Sequence, residues 1–410
     1  MVNGRDYTLT EFLKKKLFRY NLPIAVMHNP TTKRFTRDGN DALEKHLGWV
    51  CDQVKMNLEV LLPSTVMEGL VLTGPYGCGE GGVMQLVNDS PFDTMDFVVL
   101  VKGAAQAECA ALQQILSDLA VRLTPFANAK LVIRMESSVR LRKAQASLDS
   151  YNFITRLRWI IGHESLLASC QHHADARRIR MEEAMPLLLD SCSALLLARE
   201  RAYRPGFTMD DAAFVIRSIA SAQMVMGDVL LISRQLYHWS CVERNHRLNA
   251  MRKPDWAWAV LGHHIQGMEF QLHPMFIAEA QGVLAERCQQ VSELAGKVWL
   301  WMEQLRLKHD FATVREYAYD ESSKCPKESQ WHNLVFNVRA FGSAGVSSKW
   351  RLRHPLERLM RAMPLLLWDE AETKNQSLVA SCLDVLASVT SPVAAYECLW
   401  RRLKGTMLPA

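Results

Sequence analysis

GLVLTGPYGCGEGGVMQLVNDSPFDTMDFVVLV, residues 69–101, decides the fold. Gly69–Thr73 and Phe97–Val101 are short apolar runs rich in Val and Leu, bounded by Gly and Asp, which is the pattern of buried strands. Between them lies a glycine cluster, Gly74-Pro75-Tyr76-Gly77-Cys78-Gly79-Glu80-Gly81-Gly82, that reads as a turn. Upstream, Leu43, Leu47, Val50, Val54, Leu58 and Leu61 recur at steps of three and four, which places them on one helix face, and Pro63 ends that helix. Downstream, residues 105–122 read as a helix with Leu112, Ile115, Leu116 and Leu119 on one face, and Lys130–Glu136 reads as a third strand. The order is helix, strand, Gly-rich turn, strand, helix, strand. It predicts a small mixed sheet with flanking helices over residues 65–140, with 69–73 and 97–101 as neighbouring strands.

The chemistry in this segment rests on two features. Glycines let a backbone approach a triphosphate closely, because no Cβ intervenes. Carboxylates on a neighbouring strand can hold Mg²⁺, which takes oxygen ligands and bridges phosphates. Two aspartates at i and i+2 on a strand would share a face. Here Asp96 precedes the second strand, Thr94 stands two residues before it, and Asp93 lies one residue earlier still.

LVLTGPYGCGEGG followed by SPFDTMDFVVLV resembles the nucleotidyltransferase signature, in which a strand ends in Gly-Ser, passes a loop of the form Ala-Arg-Gly-Glu, and leads to Asp-x-Asp and a hydrophobic strand. The segment is similar to that of large bacterial nucleotidyltransferase-like proteins of uncharacterised role, which continue into a helical half. On that resemblance Gly74, Tyr76, Gly77, Gly79, Glu80 and Gly81 form the nucleotide-binding loop. Asp96 is the second metal aspartate, Asp93 the available substitute for the first, and Glu136 the third carboxylate. Mg²⁺ is the implied cofactor and a nucleoside triphosphate the implied ligand or substrate. MGDVLLISRQLY, with Gly227, Asp228 and Tyr237, and then Arg244, is similar to the helical half of the same group. The sequence departs from the signature in three places: Pro75 replaces the Ser, Cys78 the loop Arg, and Thr94 the first metal aspartate. These departures imply a degenerate metal site and a pseudoenzyme that binds a nucleotide or a partner. The alternative is an active Mg²⁺-dependent transfer of a nucleoside monophosphate to a small molecule, a nucleic-acid end or a protein.

Beyond residue 140 helical periodicity dominates, with Pro or Gly at the breaks and no repeat of fixed period. The predicted fold class is therefore α+β: an extension over 1–40, a nucleotidyltransferase-like domain over 41–145, and a large all-helical domain over 146–410 offering a surface for a protein partner. Asp228 inside an apolar helix needs a partner, and an ion pair with an arginine is expected, Arg217 and Arg234 being close in sequence. His172-His173 and His263-His264 point about 100° apart on a helix, so they do not chelate together. Trp256, Trp258, Trp299 and Trp301 read as core packing.

The 48 basic and 43 acidic residues leave a net charge of +5 over 410 residues, which gives no strong nucleic-acid signal. The ten cysteines are scattered with no C-x-x-C pair, so they read as buried small hydrophobes in a reducing compartment. The N-terminal segment lacks a signal-peptide core, and no run reaches the ~20 apolar residues of a membrane span. A cytoplasmic protein with no membrane partner is the expectation.

Overall fold

The computed structural model describes residues 34–404, apart from 86–87, 93, 104–108, 277–278, 326–328, 370–372 and 385–390. The extension over 1–40 therefore lies almost entirely outside the described residues. The chain is mixed α+β and divides into two compact units. The first runs through Ile179 and includes His238–Glu243 and Glu269–Met275; the second holds Arg180–Tyr237, Arg244–Met268 and Phe276 onward.

The first unit opens with helix α1 (Asp41–Leu61), capped by Asn40, whose side chain accepts from the Leu43 N–H. Strand β1 (Met67–Thr73) leads into a one-turn helix, α2 (Gly74–Cys78), and not into the open turn that the glycines predict. Pro75 explains the difference. Its fixed φ suits a first helical turn, and its carbonyl accepts from the backbone of Gly79 and Glu80. Gly79, at φ 88°, ends the turn in the left-handed region. A two-strand ribbon, β2 (Val83–Met84) and β3 (Ser90–Pro91), precedes β4 (Thr94–Val101). Helix α3 (Ala110–Ala127) then returns the chain to β5 (Lys130–Ser137). Short helices α4 (Ser138–Lys143) and α5 (Leu148–Thr155) lead to β6 (Arg158–Ile161).

The sheet order is β5-β4-β1-β6, with β4–β5 parallel and β1 antiparallel to both its neighbours. The neighbouring strands 69–73 and 97–101 are as the sequence predicts. Strand β6 is an addition: RWII is too short to register against the helical pattern, and it pairs with β1 at the edge. Its presence, with the 3-10 segments at Glu164–Ala174 and Ala176–Arg178, carries the first unit on to Ile179, past the sequence boundary at 145.

The two sheet faces are both apolar. Leu70, Leu72, Phe97, Val99, Leu131 and Ile133 pack under α1 and α3. Val71, Val98 and Leu100 pack against Leu141, Phe153 and Leu167. A sheet covered on both sides accounts for the near-continuous Val and Leu runs.

The second unit contributes α6 (Ala184–Tyr203) and α7 (Met209–Ser233), packed side by side, followed by α8 (Cys241–Ala250) and α9 (Ala257–Leu272), which run partly in the first unit. Then come α10 (Gln281–Leu307), α11 (Val314–Tyr319), α12 (Gln330–Phe341), α13 (Ser343–Ser347), α14 (Leu356–Trp368), α15 (Thr373–Cys382) and α16 (Pro392–Lys404). Helix α10 lies on both α6 and α7. By length and composition α7 is apolar enough to cross a membrane, contrary to the sequence expectation, yet most of it is buried within this structure. Trp299 is fully buried as expected, whereas Trp258 is exposed, with the Lys253 ammonium over its ring. A flexible lysine stem whose head caps the carbonyls of Leu248 and Asn249 holds that ring at the surface.

Helix α7 begins with a capping box in which Thr208 and Asp211 bond reciprocally. The Arg204 guanidinium beside Asp211, with the Thr208 hydroxyl, holds its carboxyl at about 2. An unfolded Asp titrates near ~3.9, so this pairing stabilises the fold above that pH and loses its effect as pH falls from about 4 to 2. Asp211→Asn is expected to lower the denaturation midpoint at neutral pH, with the gap to the parent closing across pH 4 to 2. A gap that is constant with pH in urea titrations would refute this role.

Candidate functional site

The glycine-rich segment is held by its own side chains. Tyr76 is 1 % exposed, its hydroxyl donates to the carbonyls of Gly82 and Phe92, at 2.8 and 2.6 Å, and accepts from the Phe92 N–H. Gly77 has no room for a Cβ, which would lie 2.1 Å from the Arg156 carbonyl oxygen and 2.5 Å from that of Leu72. Gly81 likewise faces the Tyr76 ring, at 2.2 Å from where a Cβ would stand. The Cys78 thiol donates to the Pro75 carbonyl. Gly74, at φ 71°, is the member with open space around it.

Glu80 is buried, and its carboxylate accepts from the Ser240 hydroxyl and, at 2.8 Å, from the Cys241 N–H. Both donors belong to the same compact unit. Glu80 thus caps the first turn of α8, where an anion is favoured by the unsatisfied N–H groups. Nothing in the sequence around Glu80 signals this partner, which lies 160 residues along the chain.

Asp96 is half-buried on β4, on the sheet face shared with Thr94, Val98 and Leu100. The register sets Thr73 across from it on β1 and Val132 on β5, with Arg134 two pairs further on, opposite Val98. Glu136 is paired with Leu100, four residues along, or about 13 Å at strand rise. Its carboxylate is occupied by the Arg140 guanidinium, at 3.1 and 3.2 Å, and by the Ser137 N–H at 2.9 Å. Asp96 and Glu136 are therefore not brought together. Asp93 lies outside the described residues. Among the described residues no group of three His, Cys, Asp or Glu side chains converges to hold a metal ion. In the register Asp96 stands between Thr73 and Val132, with Glu136 four residues away. Two carboxylates so separated do not fit one Mg²⁺, whose sites gather several oxygen ligands and use carboxylates for charge.

The helical unit holds a second constellation. Asp228 is buried in α7; the Arg244 Nε lies 3.0 Å from its Oδ1, without the angle of a hydrogen bond, and the His264 Nε2 lies 3.4 Å away. Arg244 also donates to the Tyr237 hydroxyl at 2.8 Å, and the other nitrogen of His264 meets the Asn245 side-chain oxygen. The expected ion pair is present, but its arginine is Arg244 and not the nearer Arg217 or Arg234. Arg217 instead stacks its guanidinium 5.1 Å from the Phe276 ring. Helix α9 supplies His264 across from Gly227, where a Cβ would lie 2.3 Å from the imidazole. The glycine thus opens the space that the histidine fills. His263, on the adjoining face, takes the Gln223 amide at 3.0 Å. The two histidines diverge as helix geometry requires.

No family model, no curated protein and no solved structure matches the chain.

Two substitutions test these assignments. Glu80→Ala leaves two buried donors without an acceptor and is expected to cost about 1–3 kcal/mol in denaturant unfolding, with Glu80→Gln milder. A Glu80→Ala protein of parental stability would remove the capping role. Gly227→Ala is expected to cost about 1–3 kcal/mol through overpacking against His264. That loss should shrink in the His264→Ala background, and additive losses would contradict the contact.

Proposed function

We propose that this chain is a nucleotidyltransferase-like protein that acts by binding, a pseudoenzyme and not a transferase. The observation that carries this reading is the register of the sheet: Asp96 faces Thr73 and Val132, and Glu136 is four residues away and salt-bridged to Arg140. Nucleotidyl transfer leaves a protein little covalent chemistry to perform, so rate rests on positioned metal charge. Two carboxylates held four residues apart, one of them salt-bridged to Arg140, supply little of it. The interior bonds of Tyr76 and Glu80 support the same reading, since they spend the segment's side chains on its own architecture. Its helix-and-strand order and the Gly-Glu loop support the nucleotidyltransferase likeness, and a nucleotide or a protein is the proposed ligand class.

The test is an assay with labelled nucleoside triphosphates, Mg²⁺ or Mn²⁺ and a panel of acceptors, run beside Asp96→Ala. Background transfer in both proteins is expected, together with nucleotide affinity by calorimetry that does not depend on Mg²⁺. Turnover in the parent that Asp96→Ala abolishes would establish the transferase alternative instead.

A further inference from the structure

Strand β5 ends the sheet: it pairs with β4 on one side, and among the described residues no strand pairs with the other. In a parallel ladder alternate residues of a strand bond the same neighbour, so the residues between them turn their N–H and C=O groups outward. On β5 the outward set is marked by its partners, which are side chains. The Leu131 N–H donates to the Thr124 hydroxyl at 3.2 Å. The Gln113 side-chain amide bridges two positions: its Nε2 donates to the Ile133 carbonyl at 2.9 Å, and its Oε1 accepts from the Met135 N–H at 3.4 Å. The Ser137 N–H goes to the Glu136 carboxylate at 2.9 Å. Gln113 and Thr124 both belong to α3, about three turns apart, and so share one side of it. An eight-residue edge strand with Leu, Val, Ile and Met along it is a template for another strand. Here an amide and a hydroxyl from the covering helix occupy the backbone groups that such a strand needs.

We propose that Gln113 and Thr124 hold this edge shut against a second copy of the chain, which would otherwise pair through its own β5. The register follows from the groups that are guarded. An antiparallel pair centred on Ile133 sets Leu131 opposite the partner's Met135, and in that ladder residues 131, 133 and 135 exchange the hydrogen bonds. These are the residues whose backbone groups the α3 side chains occupy. The side chains match in the same register. Lys130, which is exposed, stands opposite the partner's Glu136, and the two-fold repeats the pair. Glu136 lies on the same face of the strand as Lys130 and also holds Arg140 of its own chain. Opposite charges at facing positions stabilise a strand pair. A strand of unrelated sequence has neither this match nor the symmetry, which singles out the chain itself as the excluded occupant.

The experiment is sedimentation velocity of the full chain across a concentration series, for the parent and for Gln113→Ala with Thr124→Val. The double variant is expected to dimerise more tightly than the parent by at least about tenfold, since each edge group freed for a partner strand is worth roughly one hydrogen bond. Adding Lys130→Glu, an exposed substitution that sets like charges opposite one another, should return the double variant to the parental state. Hydrogen exchange reads the guard itself. Gln113→Ala should speed exchange at the Met135 amide and leave Leu131 unchanged, and Thr124→Val should do the reverse, with circular dichroism melting to show that each protein is folded. A folded double variant that associates no more than the parent overturns the proposal. So does dimerisation that ignores Lys130→Glu, or edge amides whose exchange does not respond to the single variants. Where the double variant fails to fold, the exchange of the single variants decides by the same criterion.

Discussion

A carboxylate removed from water must find its charge or hydrogen-bond partners within the fold, and much of this structure is arranged around that requirement. Glu80 meets it with a serine hydroxyl and a helix N–H. Asp228 meets it with Arg244 and His264, and Asp211 with Arg204 and the cap of its own helix. Glu303 is fully buried beside Arg306, and Glu357 beside Arg353 and Arg361. The pairings of Glu80 and Asp228 reach between elements and fix their separation, because a slip would strand one charge in a low-dielectric interior, whereas Glu303–Arg306 and Glu357–Arg361 lie within one helix. Removing one partner of such a pair costs more than removing both, so these contacts act as constraints on geometry more than as net sources of stability.

The same requirement separates what was legible in the sequence from what was not. Strands β1, β4 and β5 were visible because their apolar runs are continuous, as a sheet covered on both faces demands. Helix α1 was visible through its three-and-four spacing. Strand β6 was not, since four residues carry no period, and only its pairing to β1 identifies it. The glycine cluster was read as a loop because glycine signals conformational freedom. In the fold, Gly77 and Gly81 matter for close packing against the Arg156 carbonyl and the Tyr76 ring. Side-chain partners distant along the chain were the least legible. Asp228 announced that it needed a cation, yet the two arginines nearest in sequence are not the ones that answer. The helix rotation that brings Arg244 to it is set by the packing of α7, α8 and α9, and local sequence does not encode that directly.

Register decides the chemistry of the sheet in a way that residue content cannot. Asp96 and Glu136 both occur on neighbouring strands and on the same face, which is what a composition-level reading of the motif asks for. In a parallel pair the hydrogen-bond ladder then fixes their offset, and here it is four residues. Val132 stands opposite Asp96, and Arg134, two residues on, carries its guanidinium 5.8 Å from the Phe153 ring centroid. The geometry that would have to change to assemble a metal centre is the pairing of two strands whose outer residues build the main apolar core. Shifting β5 by the four residues that would bring Glu136 opposite Asp96 keeps its faces but moves Leu131, Ile133 and Met135 out of their places under α3. Core packing therefore opposes the register that a metal centre would need, and no single side-chain change on β5 relieves that opposition.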